Sequence, residues 1–156
     1  MQSTINSLFK VSEIEISYKH KTPVEERITV NQSDTAYEIL RNSWDMNKIE
    51  LQEQFKILLL NNQKQCIGLS ELGTGSIDQC LVDQRLLFAL ALKTKSTNLI
   101  LAHNHPSGIL TPSNADLTLT KQIQEGGKIL GIKILDHLIV TPYNYYSFAK
   151  HGMMPL

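Results

Sequence analysis

The chain has 156 residues, 42% hydrophobic and 19% charged, with 15 Lys and Arg against 15 Asp and Glu, the length and mix of one globular domain large enough to bury a core. The zero formal charge argues against broad nonspecific nucleic-acid binding, which is driven by phosphate neutralisation, though not against a local basic patch. No apolar run reaches the length of a membrane span, residues 1–8 lack the apolar region of a secretory signal, and Cys66 and Cys80 are too far apart for a Cys-x-x-Cys unit, so reduced thiols and a cytoplasmic location are expected.

Residues 8–18 alternate apolar and polar and predict a half-buried strand. Residues 19–23 read as a turn and 26–30 as the returning strand, which predicts an N-terminal β-hairpin. The hairpin serves either as an edge extending the main sheet, the favoured reading, or as a docking surface. Ser33 and Asp34 can cap a helix over 35–45 with Ala36, Ile39, Leu40 and Trp44 on one face. Residues 55–60 form an Ile- and Leu-rich strand, 61–64 a polar turn, and 65–69 the start of a second strand. Gly73-Thr74-Gly75-Ser76 is a flexible stretch; no Lys-Ser/Thr follows it, so a phosphate loop is disfavoured. Helical spacing of Leu86, Leu87, Leu90 and Ala91 predicts a helix over 82–93 with Asp83 at its positive end.

Residues 99–102 are a continuous apolar run that leads into His103 and His105 and is stopped by Pro106 and Gly108. That pattern predicts a strand buried on both faces. Side chains alternate along a strand, so both imidazoles point to one side and can converge on one ion. Ser113 to Asp116 reads as a helix start that brings a carboxylate back to them. Two imidazoles, one carboxylate and a water make an open tetrahedral zinc site. The plainer alternative is two polar residues at a loop and a helix cap made by Ser113 and Asp116. The helix is expected over 114–130, weakened by Gly126-Gly127 and capped by Gly131. Residues 132–140 and 145–148 read as the last two strands.

Taken together, His103-Asn104-His105-Pro106-Ser107-Gly108, Pro112-Ser113 and Asp116 resemble the JAB/JAMM (MPN+) metalloprotease motif, and more narrowly its RadC branch. Asp136-His137-Leu138-Ile139-Val140 and Tyr146-Ser147-Phe148 resemble the C-terminal part of RadC proteins. The resemblance covers residues 35–152, with 1–34 as an addition to one domain. Where the wider family usually has Ser or Thr between the histidines, this chain has Asn104, the residue usual in RadC-like sequences, a departure that bears on the proteolytic and deubiquitinating activity of the wider family.

The resemblance implies an α/β class: a three-layer, cytidine-deaminase-like mixed sheet flanked by helices. It implies Zn2+ on His103, His105 and Asp116, a glutamate base at Glu53, and Ser113 stabilising an oxyanion. It also implies that the 73–76 segment lies near the site. Glu53 shares a strand face with Phe55, Ile57 and Leu59 if the strand extends back to it; Glu71 and Glu50 are the competing carboxylates. His137 is either a group supporting the site or an ordinary buried histidine. Two functions follow. One is a zinc hydrolase of a peptide, isopeptide or similar amide bond in a peptide or protein substrate. The other is an accessory protein of DNA metabolism, with DNA or DNA-repair proteins as partners and a structural or vestigial metal. A nucleobase deaminase is excluded, because no Pro-Cys-x-x-Cys follows the histidines.

Overall fold

The computed structural model describes residues 11–75 and 82–155. Among the described residues, after a short 3-10 turn at Val24–Glu26, three α-helices and five strands run in the order α1 (Ser33–Ser43), β1 (Gln54–Leu60), β2 (Cys66–Thr74), α2 (Gln84–Lys93), β3 (Asn98–Asn104), α3 (Asn114–Leu130), β4 (Lys133–Val140) and β5 (Tyr145–Ser147). The sheet order is β2-β1-β3-β4-β5. Only β3 and β4 are parallel, joined across α3; the other pairs are antiparallel, so the sheet is mixed. This is the α/β, three-layer arrangement expected from the sequence.

The layers follow from alternation along the two central strands. Phe55, Ile57 and Leu59 of β1 and Leu99 and Leu101 of β3 pack with Leu87 and Ala91 of α2 and Ile123 of α3. Leu58 and Leu60, with Ile100 and Ala102, face Ala36 and Leu40 of α1 and Trp44 just beyond it. Every residue of β1 and of β3 is buried, as continuous apolar runs covered on both faces require. Truncating one of these leucines to Ala removes about 2–5 kcal/mol.

The expected N-terminal hairpin is not formed. Residues 8–10 lie outside the described residues, and 11–20 carry no strand. Ile14 and Ile16 are exposed. Alternation makes a strand only where an edge is free to pair with it. Here the returning segment occupies the start of β2 instead: Thr29 bridges Gln65, Val30 N–H donates to Lys64 C=O, and Cys66 N–H donates to Ile28 C=O. The favoured reading of this region as a sheet extension survives as that short contact. The first helix also begins earlier than expected. Gln32 is its N-cap and makes no side-chain cap bond. Ser33 and Asp34 sit inside the first turn and bond to Asp136 and to Tyr145 and Lys150. Cys66 is a free, half-buried thiol raised by burial; Cys80 and Ser76 lie outside the described residues. Among the described residues no helix is long and apolar enough to cross a membrane.

Helix α3 runs unbroken through Gly126 and Gly127 and ends at Gly131, which takes φ 70°. The glycines permit close packing. A Cβ on Gly127 would collide with the backbone carbonyl of Ile132, and one on Gly126 would press on the Phe88 ring. We expect Gly127→Ala to lower the thermal midpoint, although Ala is favoured over Gly in a helix interior by about 1 kcal/mol. Gly126→Ala, which meets only a side chain, should be clearly milder. A Gly127→Ala protein as stable as the parent in thermal unfolding would show that the helix–strand contact is slack.

Candidate metal centre

The site forms where β3 leaves the sheet. His103 is the penultimate residue of the strand, 2% exposed, on the face shared with Leu99 and Leu101. His105 follows on the same side. The Pro106–Gly108 turn closes with Gly108 N–H on the His105 carbonyl at 2.9 Å, with Gly108 at φ 78°. This returns the Ile109 carbonyl to His105 Nδ1 at 2.6 Å. A carbonyl accepts only, so Nδ1 carries the proton and Nε2 faces the site.

Helix α3 supplies the third group. Ser113 is its N-cap: Asp116 N–H donates to Ser113 Oγ at 3.1 Å, and Ser113 N–H donates to Asp116 Oδ2 at 2.7 Å. The capping box therefore orients the carboxylate as well as ending the helix. Asp116 Oδ1 lies 3.2 Å from His103 Nε2, its Oδ2 lies 3.4 Å from His105 Nε2, and the two imidazole Nε2 atoms are 2.9 Å apart. A tetrahedral ion with bonds of about 2.0–2.1 Å has ligand atoms about 3.3–3.4 Å apart along each edge. Among the described residues these three form the group able to hold a metal ion. Burial works against the Asp116 charge, yet hydrogen bonds from His103 and His105 hold its carboxyl well below the usual carboxylate range. Burial likewise depresses His105, and the bond to Asp116 more than reverses it.

His103 is backed by a buried chain of hydrogen bonds. Its Nδ1 lies 2.8 Å from His137 Nε2, and His137 Nδ1 lies 2.6 Å from Thr120 Oγ1. The Thr120 hydroxyl donates to the Asp116 carbonyl at 2.6 Å. Having spent its proton there, Thr120 accepts from His137 Nδ1–H. His137 is fully buried, between the Phe55 and Phe148 rings, and desolvation pushes it well below the ordinary histidine range, so it is neutral. Its Nε2 is then an acceptor for His103 Nδ1–H. The Nε2 atoms of both histidines thus face each other and a carboxylate, a cluster that favours a positive charge at its centre: a proton on Nε2 hydrogen-bonded to Asp116, or a metal ion in its place. The residues fit a metal.

His137 reaches this face through an irregularity. Leu99 pairs with Ile134 but Ile100 pairs with Asp136, so β4 carries one extra residue. The bulge shifts the alternation. His137 falls beside Leu101 on the site face. Asp136 falls on the α1 face, where it accepts from Ser33 Oγ, Ser147 Oγ and the His137 and Ala149 amides. Sequence reasoning singled out His137 but missed Thr120, whose signal was its place one helical turn after Asp116, in line with buried Ile123 and Gly127.

The competing carboxylates separate by face. Phe55 pairs with His103 across the antiparallel β1–β3 ladder, and continuing that register sets Glu53, 9% exposed, opposite His105. The Glu53 charge acts on His105. Its carbonyl accepts from Gly75 N–H at 2.8 Å, which ties the end of the glycine-containing stretch to the site. Glu71 pairs with Lys56 and accepts from Gln54 Nε2, on the α1 face of the sheet. Glu50 is exposed in the preceding turn.

Comparison with known proteins agrees with this geometry. A family model for the RadC-like JAB domain matches residues 30–153. A UPF0758 protein of Flavobacterium johnsoniae is 50% identical over 101 residues, 65% of this chain and 44% of that protein. One from Alkaliphilus metalliredigens is 42% identical over 102 residues, with 65% and 44% covered. UPF0758 protein YkfG of Escherichia coli K12 is 44% identical over 102 residues, 65% of each chain. The matched part spans less than half the length of the first two relatives. The helix-flanked mixed sheet, the His-x-His strand end and the matched span make this chain a member of the RadC-like JAB domain family.

Proposed function

We propose that the chain is a zinc-dependent hydrolase of JAMM type that cleaves a peptide, isopeptide or similar amide bond. The observation that supports it best is the meeting of His103, His105 and Asp116 at 2.9–3.4 Å, with the nearly buried Glu53 opposite His105 by extension of the β1–β3 register. The donor set of two imidazoles and one carboxylate suits zinc. Three protein ligands leave a position for water or substrate, whereas structural zinc sites close all four with protein. A metal held there supplies Lewis acidity and lowers the pKa of a water towards about 7.

The chain's own groups divide the remaining work. The chain from Thr120 through His137 keeps the His103 proton on Nδ1, and the Ile109 carbonyl does the same for His105. Glu53, on the site face opposite His105, accepts a proton from the attacking water and returns it to the leaving amine. Ser113 Oγ already accepts from Asp116 N–H, so its hydroxyl proton is left to donate to the oxyanion. Capping and catalysis use different atoms of one side chain. The alternative, an accessory part in DNA metabolism, draws no support from the charge balance.

Two measurements test the assignment. In a peptide and isopeptide library assay, Glu53→Gln should keep metal and fold while turnover falls by about 10²–10⁴-fold, and Glu71→Gln should keep most activity. Turnover of Glu53→Gln at the parent rate would remove Glu53 from the mechanism. Glycine is an acceptable N-cap, so Ser113→Gly should cost only a few tenths of a kcal/mol while the rate falls by about 10²–10³-fold. A rate change no larger than the stability change would leave Ser113 as a cap alone.

A further inference from the structure

We infer that Asn104 is the positioning residue for Glu53: its side-chain amide clamps the backbone on both sides of that residue and so aims the carboxylate at the metal ligands. The inference rests on the reading of Glu53 as the base.

Asn104 lies between the two histidines, so it points to the opposite face of β3, towards α1. It is fully buried. Its Nδ2 donates to the Ile49 carbonyl at 2.7 Å and to the Gln52 carbonyl at 2.9 Å, and its Oδ1 accepts from Gln54 N–H at 2.7 Å. The carbonyl before Glu53 and the amide after it are thus held by one side chain. Glu53's own carbonyl is held from the other direction by Gly75 N–H. With both neighbours fixed on the β3 side and its carbonyl fixed on the β2 side, the Glu53 backbone has no freedom to turn its side chain off the site face. The segment needs such a clamp because residues 46–52 form turns, not regular structure.

The pattern selects the residue type. Two donors and one acceptor in one short planar group are what a primary amide offers. A hydroxyl has one donor, and a carboxylate has none and would repel both carbonyls. Serine at 104 therefore leaves at least one of three buried backbone groups without its partner.

The test uses the protein loaded with cobalt(II) alone, whose visible band follows the coordination and hydrogen bonding of the ion and its water. Parent, Glu53→Gln, Asn104→Ser and the double variant are compared, each with amide hydrogen exchange at Gln54. Cobalt should bind at one per chain in all four. Asn104→Ser should speed Gln54 exchange at least tenfold and move the band towards that of Glu53→Gln, and the double variant should match Glu53→Gln alone. Unchanged Gln54 exchange in Asn104→Ser overturns the inference, as does a band shift that adds to that of Glu53→Gln. If Glu53→Gln leaves the band at the parent position, the base reading fails, and Gln54 exchange alone decides whether the clamp exists. Should Asn104→Ser not fold, the near-isosteric Asn104→Asp carries the same comparison of bands and is judged the same way.

Discussion

The hydrogen-bond chain from His103 Nδ1 through His137 and Thr120 to the Asp116 carbonyl is the interaction on which the site depends. It joins the central strand, its parallel neighbour and the helix between them at one buried point. Each link is fixed by the next, because a carbonyl can only accept and a buried neutral imidazole carries one proton. Two of the three candidate ligands, His103 and Asp116, are therefore tied to a single line of atoms. Backing of this kind orients metal-ligating histidines and raises their basicity. Here it also closes on the helix that carries the carboxylate.

The fold exists in a form that makes this line short. A β3–α3–β4 crossover with parallel strands places the helix N-terminus beside the strand's carboxyl end. Asp116 needs only the first turn of α3 to reach His103, and the same turn gives the Ser113 and Asp116 amides their partners. The bulge in β4 does the rest, by turning His137 inward and Asp136 towards α1. Asp136 then ties Ser33, Ser147 and Ala149 together on the far side of the sheet. Adjacent residues of one strand thus serve the site and the scaffold separately.

Much of this was legible in the sequence because strong periodicity survives folding. The apolar run before His103, the Leu spacing of α2 and the Ser113–Asp116 cap each follow from local chemistry, and each element lies where its pattern predicts. Three things were not legible. The N-terminal alternation promised a strand, but pairing is a property of two segments, and residues 28–30 hold the start of the β2 edge. The β4 bulge leaves no mark in composition, so the side on which His137 falls could not be counted from the strand's start. The meaning of Asn104 required the register of β1 against β3, since its partners are 50 or more positions earlier.

The central claim is that His103, His105 and Asp116 hold one metal ion with an open position. X-ray absorption on the zinc-loaded protein tests it most directly, alongside zinc content in the parent and in His103→Ala. The account predicts one zinc per parent chain, with about two imidazole nitrogens and two oxygens at 2.0–2.2 Å, and loss of that zinc in His103→Ala. Zinc content unchanged by His103→Ala, or a sulfur in the first coordination sphere, would contradict it.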